Sequence, residues 1–156
     1  MRKVLPARAA LAFGAVLFGA VLFGAASSFA SPATDPGSVD LKPGQELTIP
    51  VAIVDGRVTL GPARVSKPGT AHPKDGEITV SMVKHGLSPY AELSASEMTP
   101  EPVDFVATGL IGDIKIDEVV LCGQVDGPAT NRIASGSWRV SLNRFSVRKS
   151  GQDCRQ

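Results

Sequence analysis

Few side chains in this chain are equipped for chemistry. His72 and His85 are its only histidines, and Met82 and Met98 fall in the same third of the sequence. Imidazole nitrogen and thioether sulfur together suit Cu(I). His72, Met82, His85 and Met98 therefore define one reading, a small periplasmic copper carrier. The spacing gives it little help: no His-x-Met or His-x-His pair occurs, and Met82 runs in phase with Ile78 and Val80, where a core side chain belongs. Carboxylates offer a second chemistry. Glu97 with Glu101, or Asp113 with Asp117 and Glu118, could act as acid and base on a glycosidic bond. Glycosidase clefts are lined by aromatics, and beyond the first 30 residues only Tyr90, Phe105, Trp138 and Phe145 remain. The acids from Asp113 to Glu118 are too sparse for a calcium loop. No Gly-x-Ser-x-Gly elbow is present, so a small secreted hydrolase is only a residual reading.

The two cysteines, Cys122 and Cys154, are the whole thiol complement. Their spacing does not suit a metal site, and in an oxidising compartment such a pair forms a disulfide. Closing a loop of about 33 residues would contribute roughly 3–4 kcal/mol by the chain-entropy estimate.

Charge is segregated. From Glu92 to Asp126 there are eight acids and one base, Lys115; from Pro128 to Gln156 there are six bases and one acid, Asp153. Arg139, Arg144, Arg148 and Lys149 stand out as a basic run on a terminal strand, fit to meet an anionic envelope polymer, lipid headgroups or an acidic envelope protein. The plainer account is that acidic and basic strands lie side by side and pair across a sheet.

The elements that must position these groups begin after a leader. Arg2, Lys3 and Arg8 precede an apolar run from Ala9 to Ala26, and Ser28-Phe29-Ala30 supplies small residues for a cut before Ser31. Residues 1–30 thus read as a signal peptide, which implies a bacterial periplasmic or secreted protein with no span in its mature form. No cysteine stands at or just after the cut, so no lipid attachment is expected. Removal leaves about 126 residues, one ordinary domain. Lys+Arg falls from 16 to 13 against 15 acids, so the mature chain is near −2 and a nucleic-acid partner is disfavoured.

Residues 31–44, rich in Pro, Gly, Ser and Asp, read as a flexible N-terminal segment, and 45–156 as a single β-rich domain. Leu47, Ile49, Val51 and Ile53 alternate with smaller or polar neighbours, and Pro50 predicts an edge strand or a bulge there. Asp55-Gly56 predicts a type I′ hairpin. Alternation resumes over 77–84, 103–107 and 114–116, while 87–102 is ambiguous between strand and helical turn. Val119 to Cys122 is a continuous apolar run, expected to be covered on both faces. Trp138, Val140 and Leu142 alternate, then Phe145 and Val147 change parity, which requires a bulge near Asn143-Arg144. The fold class expected is all-β: an antiparallel, immunoglobulin-like sandwich or small barrel of about seven strands. The function expected is a non-catalytic binding or envelope-structural module without a cofactor.

Overall fold

The computed structural model describes residues 37–125 and 127–154; the expected signal peptide and its cut lie outside the described residues. Ten strands follow one another: β1 (Val39–Leu41), β2 (Glu46–Val54), β3 (Arg57–Leu60), β4 (Arg64–Ser66), β5 (Glu77–Lys84), β6 (Tyr90–Met98), β7 (Val103–Ile111), β8 (Ile114–Leu121), β9 (Ala129–Ala134) and β10 (Arg139–Val147). They form two antiparallel sheets, one in the order β1-β10-β7-β8 and one in the order β3-β2-β5-β6-β9, with β4 also on β2. The result is the expected all-β sandwich, with one sheet curled towards a half-barrel.

Period-two patterning builds the core. On β7, Val103, Phe105 and Ala107 are buried; on β6, Ala91, Leu93 and Ala95; on β5, Ile78, Val80 and Met82. Asp55 and Gly56 both have positive φ, 52° and 71°, and Val54 pairs with Arg57, so the type I′ hairpin joins β2 to β3 as expected. The parity change in β10 is absorbed at Arg144, whose φ is +52°, where the register slips between Asn143 and Ser146. That bulge returns Phe145 to the core behind Val140 and Leu142, and Phe145 stacks on Phe105 with ring centroids 5.1 Å apart.

Several expectations are corrected. Of the two readings of Pro50 the edge is overturned, because β2 lies between β5 and the β3/β4 side, while the irregularity is present: the pairing slips by one residue between Thr48↔Arg64 and Val51↔Leu60. The Pro50 carbonyl accepts a hydrogen bond from Gly61 N at 2.8 Å and so faces the break between β3 and β4, where its missing N–H costs no ladder bond. The N-terminal segment is not loose throughout: β1 pairs with β10, and Leu41 is fully buried. The ambiguous stretch is a strand over Tyr90–Met98. The apolar end of β8 is not covered on both faces, since β8 is an edge strand and Val119 and Val120 are half-buried. Val120 instead faces Val106 across the outer side of the sheet.

The seam between the sheets is closed by side chains. Asn131 Nδ2 donates to Val120 O at 2.9 Å, and Ala134 N donates to Asp117 Oδ2 at 2.8 Å, which joins the exposed edges of β8 and β9. At one end of the sandwich three turns leave Leu87, Ile114 and Trp138 exposed. The other end is polar and carries the disulfide.

Candidate functional site

The polar end is assembled from four pieces of chain: the end of β6, the Thr99–Pro102 connection, the segment leaving β8, and the tail after β10. The Cys122–Cys154 disulfide ties the tail to the end of β8 with a Cα separation of 5.8 Å. Between these pieces runs a groove of about 550 Å³, bounded by Glu101, Gln124, Arg148, Lys149, Ser150 and Gln152. A neighbouring cavity of about 440 Å³ shares Pro100 and Val125 with it and reaches Met98 and Asp75.

Beneath the groove lies Glu97. It continues the inward phase of Ala91, Leu93 and Ala95 on β6, so an acid occupies a position that the pattern reserves for the core. Only 6% of the residue is exposed. Its Oε2 accepts a hydrogen bond from Val103 N at 3.2 Å, while Oε1 has no hydrogen-bond partner. Burial, and secondarily the nearby Asp104 carboxylate, push the Glu97 carboxyl up to about 7 against the opposing pull of Val103 N, Arg148 and the Thr99 hydroxyl.

Gly123 covers it. A side chain on Gly123 would bring its Cβ within 2.7 Å of both Glu97 oxygens and nearer still to Val103 O, so only glycine can lie there undistorted. Gly123 N donates to Asp104 Oδ1 at 2.9 Å, and Arg148 Nη2 donates to Gly123 O. Arg148 Nε also lies 3.5 Å from Asp104 Oδ1. The backbone of one residue is thus fixed by an acid, a base and a buried carboxyl.

The basic run from the sequence is divided by the fold. Arg139 contacts Asp40 and Asp113 at 3.3 Å each and donates to Gly112 O. Arg144 contacts Glu118 at 2.7 Å, which Lys115 also meets at 2.8 Å. The Lys115 hydrogen bond, with help from Arg144, holds the Glu118 carboxyl below its ordinary range. Arg148 is held by Asp104 and Gly123. Lys149 alone of the four borders the groove with no ion pair among the described residues. Three of the four basic side chains are therefore engaged by acids of the four-stranded sheet: Arg148 by Asp104 on adjacent β7, Arg144 by Glu118 on β8, and Arg139 by Asp40 on β1 and Asp113 in the β7–β8 turn.

The other candidate groups do not converge. His85 is at the turn before β6 and lies 3.9 Å from Glu92, whereas Met98 ends the same strand on its exposed face. About 20 Å of strand separates Glu92 from Met98 at the usual rise per residue. Met82 is fully buried in the core, and His72 is exposed in the loop between β4 and β5. Glu97 points inward while Glu101 is exposed at the groove, and Asp113, Asp117 and Glu118 each hold a base or a backbone N–H. Asp104 lies near both cysteine sulfurs, but these are joined to each other and are not thiolate ligands.

Sequence reasoning missed Gly123 and the tail as a wall of the groove. Glu97 was singled out only as a possible acid–base partner of Glu101, because 87–102 did not reveal a strand phase that would turn it inward. Gly123 carried no local signal, because its role is set by a carboxyl 26 residues away in the chain. Comparison with protein-family models, with curated proteins and with solved structures finds no match to this chain.

Proposed function

We propose that this chain is an exported, non-catalytic binding module that holds an extended segment of an envelope protein in the groove beside its disulfide. The observation that carries the reading is the lining of that groove. Gln124, Ser150 and Gln152 offer hydrogen-bond donors and acceptors suited to a peptide backbone, and Pro100, Pro102 and Val125 supply apolar contact. Among the described residues no aromatic ring borders it on which a sugar could stack. Glu101 and Lys149 place both signs of charge on the rim, which suits a polypeptide better than a uniform polyanion. The non-catalytic part of the reading is supported by the other candidate carboxylates: Asp113, Asp117 and Glu118 are engaged by a base or a backbone N–H, and Glu97 lies under Gly123, turned away from exposed Glu101.

A photo-crosslinking residue at Gln124, with a second at exposed Thr59 on β3 as control, tests the reading in envelope fractions. One defined protein adduct from position 124 and none from position 59 is expected. Equal labelling from both positions, or none from 124, overturns it. Retention on an anionic matrix at low salt that is lost in Lys149→Glu would replace the protein partner with an anionic polymer.

A further inference from the structure

We propose that Glu97 and Gly123 form a proton-operated latch on the groove: the neutral carboxyl lets the segment from Gly123 to Val125 lie down as seen, and the ionised carboxyl releases it. The consequence for binding rests on the groove being the contact surface; the motion of the latch does not.

The geometry carries the inference. The Glu97 carboxyl is covered by the one residue whose lack of a side chain permits the approach, and Oε1 is left without a partner. A neutral carboxyl tolerates that enclosure at modest cost. A carboxylate does not, because its unmatched oxygen needs water or a cation in a place that Gly123 blocks. Among the described residues, the groups facing it from each neighbouring element are few. β7 presents Asp104, the tail after β10 presents Arg148, the Thr99 hydroxyl lies close by, and β5 presents uncharged Ile78 across the strand pair. Asp104 repels a second negative charge, and Arg148 attracts it.

Arg148 couples the charge to movement. In the structure its guanidinium donates to Gly123 O and contacts Asp104, which itself accepts from Gly123 N. A charged Glu97 competes for the same guanidinium. When Arg148 turns towards it, Gly123 loses its carbonyl contact at the moment that water is drawn to the oxygen beneath. Gln124 and Val125, which wall the groove, follow Gly123 outward. The groove is therefore shaped at mildly acidic pH and open at mildly alkaline pH. Burial places the transition near neutrality, with the carboxyl at about 7.

Amide hydrogen exchange on the ligand-free protein at pH 5.5 and 8.5, corrected for intrinsic rates, reads the latch directly. Protection at 123–125 should fall by about tenfold at the higher pH, while β5 and β7 stay unchanged. In Glu97→Gln the same amides should keep their low-pH protection at both values. The His72→Asn/His85→Asn variant must also retain the transition. Should Glu97→Gln fail to fold, the wild-type Gly123 amide resonance must still show a single titration near neutrality. Protection at 123–125 that is independent of pH, a transition unchanged in Glu97→Gln, or one lost with the histidines overturns the proposal. Because no ligand is present, failure here leaves the crosslinking result at position 124 to stand or fall separately.

Discussion

At the scale of single residues, Glu97 concentrates the energetic cost of this fold. A leucine in its place would continue the inward row of β6; a carboxyl there must be desolvated, and one oxygen is left without a partner. The native state holds the proton more tightly than the unfolded chain does, because the carboxyl moves from its ordinary 4.5 to about 7 on folding. Stability is thus fullest below about 4.5 as far as this group is concerned, and is lost as pH rises through about 7. Full ionisation costs roughly 3 kcal/mol by linkage. Denaturant unfolding of wild type and Glu97→Gln should agree within about 1 kcal/mol near pH 5 and diverge by roughly 2–3 kcal/mol at pH 8.5, the variant being the more stable. A constant difference at all pH values would show that the carboxyl keeps its charge in the native state. Glu77, in contrast, is a half-buried carboxyl at the start of β5 whose hydrogen bonds, first from Arg64 and then from Lys74 N, hold it below the ordinary range.

At the scale of elements, strands whose burial follows their own alternation could be read directly, and elements fixed by distant partners could not. The hairpin at Asp55-Gly56 and the bulge at Arg144 were legible because each is a local backbone demand written in two or three residues. β1 was hidden in a Pro- and Gly-rich segment; only its pairing with β10 makes it a strand. β9 was missed because Thr130, Asn131 and Arg132 carry no apolar row, and β6 on one side with β8 on the other supply its partners. The long connection from β4 to β5 is held the same way. Glu46 on β2 is buried, and its carboxylate accepts from Ala71 N at 2.7 Å, Gly69 N at 2.9 Å and Ser66 Oγ at 3.2 Å. Charge-assisted bonds of this kind contribute about 1.5–3 kcal/mol each, so Glu46→Ala should destabilise the domain by about 2–4 kcal/mol. Exchange protection should vanish at Gly69 and Ala71 and persist at Gly123. Retained protection at Gly69 would mean that the prolines of this loop, not the carboxylate, define its path.

At the scale of the whole molecule, the core and the candidate site are held by different forces, and that separation can be measured. The sandwich interior is a continuous set of apolar side chains, from Leu47 and Ile49 in one sheet to Phe105, Leu142 and Phe145 in the other, and it needs no covalent support. The groove has no such core under it. Its tail wall stays in place because Cys154 is bonded to Cys122 at the end of β8 and because Arg148 bridges to Asp104 and Gly123. Replacing both cysteines by serine removes a constraint worth about 3–4 kcal/mol in the chain-entropy estimate, which lowers Tm by roughly 10 °C for a domain of this size. The far-ultraviolet circular dichroism should nevertheless remain that of a folded β protein, because no ladder bond passes through the disulfide. Crosslinking from position 124 should be lost in the same variant. Loss of the adduct with the sheets intact would locate binding in the braced end of the sandwich. An adduct that survived disulfide removal would mean that the tail is not a wall the partner touches, and the contact surface would then have to be sought along Thr99–Pro102 and Met98 instead.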